Sequence, residues 1–130
     1  MPSVSRKPIR IGAVSMRILR VVWARRRATA RAITEELSKD RFIAHSTVQT
    51  LLRKLEAKGA VGHEVEGRTF IFRPLVTEEE VRESATHELL GRVFDGSAFG
   101  LVAHIVKNEP VSREDLAELR RLIDDAEKER

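Results

Sequence analysis

The sequence predicts a mainly α protein with a small β-hairpin: a winged helix-turn-helix domain followed by a helical dimerisation domain. Three observations carry this. Residues 44–59, AHSTVQTLLRKLEAKG, combine helical spacing of apolar positions with an outer face that carries no carboxylate before Glu56. Residues 61–73 hold two alternating runs rich in β-branched and aromatic residues on either side of Glu66-Gly67, the pattern of a hairpin. The charge also divides along the chain, with 16 Lys and Arg against 6 Asp and Glu in residues 1–75, and 8 against 14 in residues 76–130. A basic front part suits a polyanion, and an acidic rear part is left for protein contacts.

At 130 residues the chain has room for one domain and an appendage, not for two full-sized domains. It has no cysteine, which removes disulfides, thiol chemistry and zinc-thiolate sites. The opening MPSVSRKPIRIG lacks the apolar stretch of a signal peptide, and no segment approaches membrane-spanning length. A cytoplasmic protein without membrane contact is therefore expected.

Taken in order, residues 1–10 hold Pro2, Pro8 and three cations without periodicity, and are expected to form a mobile basic arm. The winged-helix domain then spans 11–76. Val14, Ile18, Val21 and Val22, with Met16, Leu19 and Trp23, form the stripe of a first helix closed by Arg25-Arg26-Arg27. Thr29 is the N-cap of a second helix through Ile33 and Leu37 to about Lys39. Lys39-Asp40-Arg41 turns the chain, and Phe42 and Ile43 lead apolar side chains into the third helix, where Ser46 and Gln49 form a capping box and Gly59 supplies the stop. Val48, Leu51, Leu52 and Leu55 face inward. In the hairpin Gly67 takes the positive-φ place, Arg68 stands at the tip and Pro74 ends the second strand.

Residues 77–130 form the helical dimerisation domain. Thr77 and Glu80 make a capping box ahead of Val81, Ala85, Leu89, Leu90, Val93 and Phe94; Asp95-Gly96-Ser97 breaks that helix. A shorter helix carries Phe99, Leu101, Val102, Ile105 and Val106. After Asn108-Glu109-Pro110 a last one, capped by Ser112 with Asp115, carries Leu116, Leu119, Leu122, Ile123 and Ala126. So short a helical segment cannot bury this much apolar surface alone, so a second copy is expected to cover Val81, Ala85, Leu89, Leu90, Val93, Phe94, Leu101, Val102, Ile105, Leu116, Leu119, Leu122 and Ile123.

The outer face of the third helix is the expected site. Ser46, Thr47, Gln49 and Thr50 offer hydroxyls and an amide to base edges, and Arg53, Lys54 and the wing's Arg68 offer charge to phosphates. His45 is read as a groove-edge or helix-start residue, and Thr29 and Arg31 belong to the same surface from the start of the second helix. The partner expected is a double-stranded DNA operator bound by a homodimer. The rival reading, a winged helix used only for protein contacts, needs no cationic front. His45, His63, His87 and His104 lack the spacing of a local metal motif, and no nucleophile–base set or phosphate-cradling glycine loop occurs. Hence no catalytic residue, metal or cofactor is assigned.

MRILRVVW (16–23), TARAI (29–33), STVQTLLRKLEAKG (46–59), EGRTFIFRPLV (66–76) and FDGSAFGLVAHIV (94–106) together resemble the BlaI/MecI penicillinase-repressor family of bacterial winged-helix regulators, from about Ile11 to the C-terminus. The resemblance implies a homodimeric repressor whose N-terminal winged helix binds an operator dyad and whose C-terminal helices interlock. Two departures stand out. In the antibiotic-resistance members a sensor-controlled protease cuts an Asn–Phe step in the penultimate helix, where this chain has His104-Ile105. The copper-responsive relatives carry paired C-terminal cysteines that are absent here. The operator sequence, the inducing signal and any upstream sensor or protease stay unassigned.

Overall fold

The computed structural model describes residues 9–130, in six helices and one two-stranded sheet: α1 (Ala13–Arg25), α2 (Ala30–Ser38), α3 (His45–Ala57), β1 (Val61–Glu66), β2 (Thr69–Pro74), α4 (Glu78–Val93), α5 (Ala98–Asn108) and α6 (Arg113–Lys128). The chain divides into two compact units, the first ending at Glu88 and the second running from Leu89 to Arg130. The division falls inside α4, so the first unit extends beyond the Val76 boundary read from the sequence.

The first unit is built on a closed apolar core. Ile18, Leu19 and Val22 of α1, Ile33 of α2, Val48, Leu52 and Leu55 of α3, and Val61 of β1 are all fully buried. Val14 departs from the expected stripe, standing 39% exposed at the open end of α1. Trp23 is partly buried and donates its indole N–H to the carbonyl of Val76 at 2.9 Å, which satisfies the one polar atom of a large apolar side chain. Thr29 caps α2 as expected, its Oγ1 accepting from the Ala32 amide at 3.0 Å. In the turn that follows, Ser38 Oγ accepts from the Ile43 amide at 3.3 Å. Ile43 packs against the core, but Phe42 is 82% exposed and leads nothing inward.

Two local details of α3 differ from the sequence reading at its start and agree with it at its end. The helix begins at His45 with Ala44 as N-cap, whose carbonyl accepts from Thr47 and Val48 at 3.1 and 3.2 Å, and no side chain caps it. The expected Ser46–Gln49 capping box is absent because both residues already lie within the helix. At the other end Ala60 N–H donates to the Leu55 carbonyl at 2.9 Å and Gly59 N–H to that of Glu56 at 3.0 Å, with Gly59 at φ 81. That is a Schellman stop, and buried Leu55 and Ala60 supply its apolar contact.

The hairpin pairs Val61 with Pro74 through to Glu66 with Thr69, leaving a two-residue turn of Gly67 and Arg68. The turn therefore sits one residue later than Glu66-Gly67, and Pro74, paired with Val61, is the last residue of β2. Gly67 carries φ 65 at the first central position, the requirement of a type II′ hairpin turn. A bridge joins Ala28 to Phe72, with N–H to carbonyl distances of 3.0 and 2.8 Å, so the segment entering α2 lies beside β2 as a minimal third strand.

Thr77 and Glu80 form the expected capping box at α4, through contacts of 2.8 and 3.0 Å. Val81 is only 4% exposed within the single chain, so this residue is already covered and drops out of the surface left for a second copy. Of the expected arm, residues 1–8 lie outside the described residues, whereas Ile9 and Arg10 are held. The Ile9 amide donates to Ser84 Oγ at 2.8 Å, Arg10 pairs with Glu88 at 2.8 Å, and Lys58 donates to the Arg10 carbonyl.

In the second unit Asp95 and Gly96, at φ 51 and 81, end α4. Ser97 caps α5 by accepting from Gly100 at 2.8 Å, and Ser112 caps α6 by accepting from Asp115 at 3.0 Å. Phe94 meets the ring of His104 at 5.9 Å. Apolar side chains stay exposed along this unit, among them Val93, Phe99, Val102, Ile105, Val106, Leu122 and Ile123. Among the described residues no single helix is long and apolar enough to cross a membrane.

Leu52 sits at 1% exposure where α3 meets the rest of the core. Leu52→Ala is expected to lower stability by about 2–5 kcal/mol in urea denaturation, the range for a truncated core leucine; a loss under about 1 kcal/mol would mean that α3 is not anchored through this side chain.

Candidate nucleic-acid interface

Burying Val48, Leu52 and Leu55 turns the remaining side of α3 outward, because successive residues are offset by about 100° around a helix. Ser46, Thr47, Gln49, Thr50, Arg53 and Lys54 are accordingly all exposed, and His45 is partly so. Three of these repeat at four-residue steps, His45, Gln49 and Arg53, and they share one side of the helix. That side lines a concavity of about 510 Å³, closed by Thr29 and Arg31 at the start of α2 and by Arg68, Thr69 and Phe70 of the wing. Ser46, Thr47, Thr50 and Lys54 occupy the neighbouring exposed side, outside this concavity. Six of the lining residues, Thr29, Arg31, His45, Gln49, Arg53 and Arg68, are those expected from the sequence; the wing's Thr69 and Phe70, expected only as strand residues, join them through the hairpin register.

The cations around this surface are left without counter-charges. Among the described residues, no carboxylate pairs with Arg31, Arg53, Lys54 or Arg68, and Arg53 makes only a 3.4 Å contact to Thr50 Oγ1. Three acids of the first unit are engaged elsewhere. Glu66, beside the turn, is held by Arg27, and Glu56 at the far end of α3 meets His63 Nδ1 at 2.7 Å. The His63 ring stacks on Phe70 with centroids 4.0 Å apart, so this pair also braces the wing. Glu36 takes hydrogen bonds from Lys39 and from Arg25, and these, Lys39 first, hold its carboxyl below the ordinary range. The Arg25-Arg26-Arg27 run is therefore partly spent on ion pairs within the first unit.

Two site residues also have structural tasks. Thr29 Oγ1 is used by the α2 cap, which leaves its hydroxyl proton to donate. His45 Nδ1 lies 2.9 Å from Thr34 Oγ1, a contact between α2 and α3 with no signature in the sequence. Among the described residues no three His, Asp or Glu side chains gather as a metal-holding group.

A helix-turn-helix, a wing beside its second helix, and uncompensated cations round the concavity between them define a winged-helix protein of the DNA-binding class. The chain belongs to the penicillinase repressor family, which it matches over residues 11–125. It is 29% identical to the penicillinase repressor of Bacillus licheniformis over 115 residues, covering 88% of this chain and 90% of that one. To the methicillin resistance regulatory protein MecI of Staphylococcus aureus strain N315 it is 24% identical over 117 residues, 90% of this chain and 95% of that one. The solution structure of the DNA-binding domain of the repressor BlaI superposes with a TM-score of 0.52 at 31% identity, over 58% of this chain and 92% of that domain. The reduced form of MarR from E. coli, at 18% identity and a TM-score of 0.50 over 89% of this chain and 77% of that one, shares the fold.

If Arg31 is held for a ligand rather than for the fold, its replacement should be silent in stability while that of its neighbour is not. Arg31→Ala is expected to change unfolding free energy by under about 0.5 kcal/mol, against about 0.5–2 kcal/mol lost in Thr29→Ala through the cap. Equal losses in thermal unfolding would make Arg31 a structural residue.

Proposed function

We propose that this repressor-family chain binds a palindromic DNA operator as a homodimer, with α3 in the major groove and the hairpin against the adjacent backbone. The observation that carries it is the exposed, carboxylate-free face of α3 set beside the unpaired Arg31 and Arg68. Short hydroxyls and an amide suit base edges, and cations suit phosphates. Ser46, Thr47, Gln49 and Thr50 are the base-reading set; Arg31, Arg53, Lys54 and Arg68, with the Thr29 hydroxyl, hold the backbone. The likeness to the DNA-binding domain of BlaI, at 31% identity, supports the same reading. A winged helix used only for protein contacts would have no need of three unpaired cations round one concavity, with a fourth, Lys54, on the adjoining side of α3.

The rear helices supply the second copy. Leu122 and Ile123 are 58% and 54% exposed on α6, and Val93, Val102 and Ile105 are exposed on α4 and α5. Together with the half-covered Leu89, Leu90, Phe94, Leu101, Leu116 and Leu119, and with Ala85, they give the apolar surface that a twofold partner would bury. Two tethered half-site contacts then reinforce each other through effective concentration.

Selecting bound duplexes from the source genome and titrating them with salt tests the DNA assignment. Arg68→Ala should weaken all sequences alike and flatten the log–log salt slope by about one unit, whereas Gln49→Ala should relax preference at one base position at a cost of about 1–3 kcal/mol. A chain with no salt-dependent binding to any duplex would overturn the reading. For the dimer, the double substitution Leu122→Glu, Ile123→Glu should give a monomer in sedimentation and at least about a tenfold loss of operator affinity; a wild-type chain that sediments as a monomer when bound would sink the twofold arrangement.

A further inference from the structure

The contact between Thr34 and His45 fixes more than distance. Thr34 Oγ1 lies 2.8 Å from the carbonyl of Ala30 and 2.9 Å from Nδ1 of His45. A threonine hydroxyl has a single proton. Given to the ring nitrogen, it would leave two acceptor oxygens facing each other at 2.8 Å. Given to the Ala30 carbonyl, it leaves Oγ1 free to accept, and the contact to His45 is then made by an Nδ1–H. Only the second arrangement makes both contacts hydrogen bonds. The neutral imidazole is then protonated at Nδ1, and Nε2 is a bare lone pair. Among the described residues Nε2 makes no hydrogen bond.

That nitrogen is well placed. His45 is the first residue of α3, the end from which recognition helices contact base edges. It lines the concavity with Gln49, one turn further along the same side. In the major groove the only groups that can donate to such an acceptor are exocyclic amines, N6 of adenine and N4 of cytosine. Guanine and thymine present acceptors there at the corresponding place.

We infer that His45 is a specificity-determining residue whose Nε2 selects a base bearing an exocyclic amino group, and that Thr34 is the positioning residue that sets its tautomer without touching DNA. This deepens the operator reading above and rests on it. The mechanism has two parts that can be observed separately, the proton's place on the ring and the base it favours.

The test compares the full chain with Thr34→Val, Thr34→Ser and His45→Ala. In the DNA-free protein, nitrogen-15 spectra of the imidazole should show Nδ1 protonated and Nε2 bare in wild type and Thr34→Ser. In Thr34→Val, which keeps the branched shape but offers no acceptor, the Nε2-protonated form should gain population. Selection from a random-sequence duplex library should give adenine or cytosine at one position of each half-site for wild type and Thr34→Ser. Which of the two appears identifies the amine. Preference there should fall roughly tenfold in Thr34→Val and in His45→Ala, the lower part of the range for a lost base contact, while in Thr34→Val affinity for non-specific duplex and its salt slope stay unchanged. A wild-type ring protonated at Nε2, a guanine or thymine at every position that His45→Ala relaxes, or undiminished preference in Thr34→Val would each overturn the inference. A correct tautomer in a chain that binds no duplex would overturn base reading together with the operator reading, and the spectra would show that the fault lay there and not in the Thr34 contact.

Discussion

Burial of Val48, Leu52 and Leu55 against α1, α2 and β1 is the constraint on which the first unit depends. A helix held by three fully covered side chains at four- and three-residue steps has no rotational freedom, and its opposite face is set by default. The polar face is thus a by-product of core packing in its orientation, though not in its chemistry. Composition alone decides that it shows hydroxyls, an amide and cations where an ordinary surface helix would mix both signs of charge.

The wing is located by a different kind of bond. The Schellman stop at Gly59 reverses the chain directly into β1, and the Ala28–Phe72 bridge ties β2 to the segment that starts α2. Both are backbone interactions, insensitive to the side chains displayed nearby. Ion pairs then neutralise two acids that would otherwise oppose an anionic partner, with Arg27 on Glu66 and Arg25 with Lys39 on Glu36, and a hydrogen bond from His63 engages a third, Glu56. Of the cations left without a counter-charge, Arg31, Arg53, Lys54 and Arg68 lie on α3, the start of α2 and the hairpin tip.

Much of this was legible in the sequence because it is local. The apolar periods of the helices, the Thr29 cap, the Thr77–Glu80 box and the Gly59 stop are all written within a few residues of where they act. The misreadings were of two kinds. The helix that Ser46 would cap has its N-cap two residues earlier, at Ala44, with no side-chain hydrogen bond there, and the turn at Glu66-Gly67 falls one residue later, because neighbouring residues can satisfy the same short motif and only the register of the fold chooses between them. Val81, Phe42 and Ile9 were misjudged because their exposure depends on chain far away in sequence: Ile9 bonds to Ser84, and an apolar residue after a polar turn faces inward only if something is there to receive it. The Thr34–His45 contact belongs to the second kind, since no spacing rule joins a mid-helix threonine to the first residue of the next helix.

The two-residue turn of the wing divides its demands unevenly. The unusual backbone angle falls wholly on Gly67, while Arg68 keeps a negative φ that any side chain tolerates. One position of the tip is consequently frozen by geometry and its neighbour is open to drift. A lineage built on this scaffold can retune how its hairpin meets a partner by single-codon change at the second position, without disturbing the strands that carry it.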